Sequence, residues 1–134
     1  MNKQEVGKVI LRAVLGLTFF IHGLSKFQAG VANTAGYFDS LGIPGFLAYP
    51  VAAIELIGGI ALILGIGTKI IGVLFALIMA GAIFTAKLPA GFVGNGQMAG
   101  YGLDLVLLAM SIFLVLADRS TLSLDNKLFH SNNN

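Results

Sequence analysis

The chain has 134 residues, 57% of them hydrophobic and 10% charged, with a net charge of +2. Soluble domains carry about 25% charged residues, so this composition excludes a water-facing polar skin and points to lipid as the surrounding solvent. The scattered Lys and Arg exclude a nucleic-acid interface, and the absence of cysteine excludes disulfide exchange, thiolate metal sites and cysteine nucleophiles carried by this chain.

A membrane-spanning helix needs about 20 predominantly apolar residues, and four stretches are read as spans: about 9–27, 46–64, 69–88 and 101–117. The first, with Lys3, Lys8 and Arg12 ahead of its apolar run, also has the outline of a signal peptide. Three further apolar segments, and His22 and Lys26 inside the first, argue for a span instead. The connection from Gln28 to Gly45 is the longest; its mixed character, with Tyr37, Phe38 and Asp39, predicts a short amphipathic or re-entrant piece near an interface. Pro44 suits the first turn of the second helix or the bend before it. The second connection, Gly65 to Thr68, is short enough to predict an antiparallel hairpin. The third, Pro89 to Gly100, is glycine-rich and reads as loop. From Asp118 the tail turns polar and is expected to fray. The expectation is an all-α fold: one domain, an integral membrane antiparallel four-helix bundle.

Orientation follows from the placement of Lys and Arg. Four spans put both termini and the short second connection on one side, together with Lys3, Lys8, Arg12, Lys69, Arg119 and Lys127; the other side holds Lys26 and Lys87. The reading is a multi-pass plasma membrane protein with both termini cytoplasmic.

Ionisable side chains inside hydrocarbon cost about 2.5–3.5 kcal/mol each on insertion scales, which makes them the candidate functional residues. Arg12, His22, Lys26, Glu55 and Asp104 lie within or at the edges of the spans. At helical spacing Arg12, His22 and Lys26 fall on one arc with Gly16, Phe19 and Gly23, and His22 and Lys26 are one turn apart. Depth places Glu55 near the midplane, His22 and Asp104 within the outer half, Lys26 at the outer rim and Arg12 near the inner surface. The candidate ligand-binding or proton-relay set is His22, Lys26, Glu55 and Asp104, with Arg12, Lys87 and Tyr101 as secondary members. Each has a structural alternative: Glu55 protonated or paired for folding, His22 a core donor, Lys26 snorkelling, Asp104 favouring a helix N-terminus, Arg12 and Lys87 anchoring at an interface. Gly72, Ala76 and Ala80 on the third helix, and Ala48, Ala52 and Gly59 on the second, read as packing ridges. No metal-ligand cluster, phosphate loop or nucleophile–base spacing stands out, and one intramembrane histidine cannot give bis-histidine haem ligation.

Three short elements carry a family resemblance. His22-Gly23-Leu24-Ser25-Lys26-Phe27 resembles the HG-x-x-K element of DoxX-like membrane proteins. Ile43-Pro44 followed by Glu55-Leu56-Ile57-Gly58-Gly59 resembles their second-helix pattern, and Leu122-Ser123-Leu124-Asp125 their closing element. The resemblance runs from Leu11 to about Phe129. It implies a four-helix DoxX fold with polar intramembrane positions at Arg12, His22, Lys26 and Glu55. It also implies the oxidoreductase label, of the catechol-resistance type, that members carry, and links of some relatives to quinone or redox-protective complexes. The chain departs from that pattern twice: Lys87 stands where many relatives have histidine, and Gly102, with Asp104 nearby, where many have glutamate.

Three functions are compatible with these residues. The first is a redox-linked subunit whose outer-half cavity binds a quinone or small phenolic molecule beside Phe19, Phe20, Phe27 and Tyr101, with electrons from a soluble partner. The second is a non-enzymatic scaffold or assembly factor for a redox complex. The third is a small transporter, which would require a homo-oligomer because one four-helix chain encloses little volume.

Overall fold

The computed structural model describes residues 2–96, 99–117 and Ser123. Among the described residues every regular element is helical, and β-type pairing is confined to an isolated bridge between Gly94 and Ala99.

Helix α1 (Lys3–Ala29) starts on Asn2, whose side chain accepts a hydrogen bond from the Glu5 N–H at 2.9 Å, satisfying one of the orphan donors of a helix start. It stops at Gly30, whose φ of +94° is one that side-chain-bearing residues rarely adopt. The mixed segment that follows is itself helical, α2 (Val31–Ser40). Asp39 then closes the turn, its Oδ1 accepting from the Gly45 N–H at 2.9 Å. Pro44 sits in the bend before a 3-10 turn, Gly45–Leu47, which leads into α3 (Ala48–Leu64). Three residues connect α3 to α4 (Thr68–Ala82), so the two run antiparallel.

The sequence reads the next stretch as uninterrupted helix to Leu88. The structure instead widens it into a π-helical turn over Ile83–Lys87 and then tightens it into a 3-10 turn over Leu88–Ala90. Pro89 supplies the physical reason: it has no N–H to donate back along the helix, and its ring clashes with a carbonyl one turn earlier. After the glycine-rich loop comes α5 (Gly102–Leu116).

Two antiparallel helix pairs result, α1 with α3 and α4 with α5. Glycines set the first contact. A Cβ on Gly16 would lie 2.6 Å from the Gly59 carbonyl oxygen, one on Gly59 would lie 2.5 Å from that of Gly16, and one on Gly23 would lie 2.6 Å from the Leu56 nitrogen. The pairs meet where Phe19 of α1 stacks on Phe75 of α4, ring centroids 3.7 Å apart, within a core that includes Leu15, Leu62, Met79, Leu107 and Leu114. A second, small cluster of Val31, Ala48 and Ala52 fastens α2 to the start of α3.

The outer surface is apolar, with Ile10, Ile57, Ile70, Leu77, Phe84 and Leu116 all exposed. Contiguous apolar exposure on this scale marks a surface that does not face water. Three helical stretches, Lys3–Ala29, Gly45–Leu64 and Thr68–Ala90, are long and apolar enough to cross a membrane; α5 is apolar but has 15 residues. The polar tail from Asp118, and the closing Leu122–Asp125 element except Ser123, lie outside the described residues.

Candidate functional site

Glu55 sits in the middle of α3 on the face carrying Ala48, Ala52 and Gly59, and that face packs inward; Glu55 is 2% exposed. Asp104 lies in the first turn of α5 and is 3% exposed. Carboxylates this deeply buried are tolerated when a cation and hydrogen bonds compensate them, and each has a lysine from the neighbouring helix. Lys26, in the last turn of α1, places Nζ 2.7 Å and 2.6 Å from the two Glu55 oxygens. Lys87, at the end of the π turn, places Nζ 3.1 Å from Asp104 Oδ1 and 3.0 Å from Oδ2. In both pairs the ammonium faces both carboxylate oxygens, more closely at Lys26–Glu55 than at Lys87–Asp104.

Both pairs line one cavity of about 760 Å³, within the range of about 300–1,000 Å³ of small-molecule sites. Its wall is mostly apolar. Helix α2 contributes Asn33, Thr34, Tyr37 and Phe38, α4 contributes Leu77 and Ile78, and the π turn adds Thr85. His22 also lines it, from an exposed position at the rim. Among the described residues no group of three or more His, Cys, Asp or Glu converges to hold a metal ion.

The structure thus brings together His22, Lys26, Glu55, Lys87 and Asp104. It separates the other two candidates. Tyr101 caps the start of α5 and packs edge-on against Phe92, ring centroids 5.5 Å apart, away from the cavity lining. Arg12 is 4% exposed and lies at the opposite end of α1, its Cζ 3.1 Å from where a Gly65 Cβ would be; the helical rise puts it about 21 Å from Lys26 along the axis. The aromatic neighbours also differ from those expected. Phe19 belongs to the core, and neither Phe20, Phe27 nor Tyr101 lines the cavity, whose aromatic wall is Tyr37 and Phe38 instead. Their spacing with Asn33, Thr34 and Leu41 is that of one helix face, within the segment expected to be amphipathic or re-entrant, though the sequence did not single them out as candidate site residues.

A family model described as DoxX matches residues 7–88, well over half of the chain. The chain belongs to the DoxX family. A Bacillus subtilis relative named "Putative oxidoreductase CatD" is 48% identical over 135 aligned positions, covering 100% of this chain and 96% of the relative. An uncharacterised membrane protein of Mycobacterium tuberculosis is 32% identical, covering 90% of this chain and 80% of its own length. The Escherichia coli inner membrane protein YqjF is 32% identical over 66 residues, 49% of this chain and 50% of its own. No solved structure matches. The DoxX match spans His22, Lys26, Glu55 and Lys87 and ends before Asp104. Lys87, inside the match, and Asp104, beyond it, meet in the structure as an ion pair.

Proposed function

We propose that the chain is a redox-linked subunit of the plasma membrane that binds a quinone or small phenolic molecule in the cavity between its two helix pairs. One observation carries this reading: two lysine–carboxylate pairs, one from each helix pair, line a single largely apolar cavity of about 760 Å³. The apolar walls suit an aromatic ring, the ammonium groups of Lys26 and Lys87 donate to ligand oxygens, and Glu55 and Asp104 stand where protons are taken up or released. Reducing a quinone to its hydroquinone takes two electrons and two protons. The chain has no cysteine to carry electrons, so in this reading they come from elsewhere, such as a soluble partner. The name of the Bacillus subtilis relative supports a redox role.

In this reading α5 is the fourth span, residues 1–134 form one antiparallel four-helix membrane domain, and both termini face the cytoplasm with Lys69. The absence of native cysteine makes the topology directly testable. In whole cells an impermeant thiol reagent is expected to label Asn95→Cys and to spare Asn2→Cys and Lys69→Cys; the reverse pattern contradicts the orientation. The ligand reading is tested by titrating quinones and phenols into the protein in lipid nanodiscs against empty nanodiscs. Saturable binding lost in Lys26→Met supports it, and absence of saturable binding overturns it.

A scaffold role is the second reading, favoured by a specific feature: Lys26–Glu55 ties α1 to α3 and Lys87–Asp104 ties α4 to α5, as a register lock would. A Lys26→Met/Glu55→Leu variant that folds and keeps full cellular function favours the scaffold; one that folds but loses function favours the ligand site.

A further inference from the structure

Inside the helical stretch Thr68–Ala90, Gly81 has no packing contact to explain it. Gly72, earlier on α4, does: a Cβ there would meet the Ser111 carbonyl oxygen and Val115 Cγ2, both at 3.0 Å. A Cβ on Gly81 would meet no described atom within 4 Å. Glycine inside a helix costs stability relative to alanine, and one of its uses is to let a ligand approach the backbone closely. Gly81 lines the cavity and is exposed; Leu77 and Thr85, one turn to either side, also line it and are also exposed. The three share one helix face, so the cavity is open along this edge of α4. The Thr85 hydroxyl donates to the Gly81 carbonyl at 2.6 Å, which engages its one donor within the helix. By helical rise the edge lies within about 10 Å of the middle of the stretch, a depth at which the surroundings of a spanning helix are hydrocarbon.

Resting on the ligand reading above, we propose that the ligand is a lipid-soluble, tailed molecule: its ring lies in the cavity by the ion pairs, and its hydrocarbon tail passes across Gly81 into the bilayer. A water-soluble phenol needs no opening at this depth. The edge offers such a molecule an apolar side chain, a bare backbone and a hydroxyl already engaged. It offers a methylene chain a groove with no side chain at its centre. The polar groups that suit ring oxygens, Lys26 and Lys87, line the same cavity, so one molecule spans both environments. The tail leaves lipid for an equally apolar groove and gains little by it. The opening therefore sets the class of ligand and its route, exchange with the bilayer rather than with water, more than its affinity.

Two probes with one ring test this: a tailless dimethoxymethylbenzoquinone and its decyl homologue, titrated into wild-type and Gly81→Trp protein in phosphatidylcholine nanodiscs. Partition into lipid cancels when each probe is compared between the two proteins. The new side chain enters open space and replaces a helix-weakening residue, so the variant is expected to fold. Steric exclusion of the tail is expected to weaken the decyl probe about tenfold or more, and the tailless probe by less than about threefold. Should Gly81→Trp fail to fold, Gly81→Leu takes its place with the same pattern expected. Ile57→Trp, exposed and off the cavity lining, is expected to change neither; a tail-selective loss there puts the effect in the lipid and overturns the inference. If Gly81→Trp changes neither probe, an acyl chain of a bilayer lipid fills the opening instead. If it weakens both equally, the ring rather than the tail lies at Gly81. Either result overturns the tail assignment while leaving the cavity a ligand site. No saturable binding of either probe by the wild type overturns both.

Discussion

Around Gly16 and Gly59 two helix backbones approach so closely that neither position has room for a Cβ, and the adjacent Phe19 and Phe75 stack between the helix pairs. Around Lys26 and Lys87, toward the other end of the same helices, a cavity is lined by polar groups that are paired within each helix pair. The packed region holds the helices by small residues and dispersion, the means available where lipid tails are as apolar as any side chain. The cavity region holds buried charge, which costs stability unless compensated and which packing alone does not require. Arg12 is also buried, at the opposite end, so it is buried charge together with a cavity that places the proposed function at this end.

Substitutions test the contrast by magnitude. Lys26→Met leaves Glu55 buried and uncompensated, and removing one partner of such a pair costs about 3–5 kcal/mol; thermal melts in detergent should fall further than for any other cavity substitution. The Lys26→Met/Glu55→Leu double variant should recover most of that loss, and if it does not, the pair holds more than its own two charges. Gly59→Val, which forces a side chain against Gly16 and Phe20, is expected to cost about 1–3 kcal/mol through overpacking while leaving ligand affinity unchanged in the folded fraction. Lys69→Met tests the far end, where Lys69 donates to the Val115 and Ala117 carbonyls at 3.1 Å and 3.0 Å. A cation at an exposed helix C-terminus contributes about 0.3–1 kcal/mol, and a larger loss would show that the end opposite the cavity is also held by charge.

Much of this was legible in the sequence. Apolar runs pointed to membrane-length helices, of which the structure shows three, the first starting at Lys3 ahead of its apolar run, and the cost of burial singled out Glu55 and Asp104, which line the cavity. The small-residue face of Ala48, Ala52, Glu55 and Gly59 is buried as its spacing implied. The pairings were not legible. Lys26 and Glu55 are 29 positions apart and Lys87 and Asp104 are 17. Which lysine meets which carboxylate depends on helix register set by glycine contacts and on the wider turn ahead of Pro89. Helix α2 was half legible: its residues looked amphipathic, but 10 residues between Gly30 and Leu41 carry too few turns for periodicity to separate a helix from a polar loop. Tyr37 and Phe38 were placed in that amphipathic piece but not at the cavity they line, and the aromatic neighbours were sought among residues that instead fill the core or lie off the cavity lining.

The most direct test of the central claim, that the paired lysines and carboxylates face a ligand in one cavity, is photoaffinity labelling with an azido-quinone in nanodiscs, read by peptide mass spectrometry. The account predicts labelling of α2 near Tyr37 and of the π turn near Thr85, competed by excess unlabelled quinone. Labelling confined to the outward faces around Ile57 and Ile70, and indifferent to competitor, would contradict it.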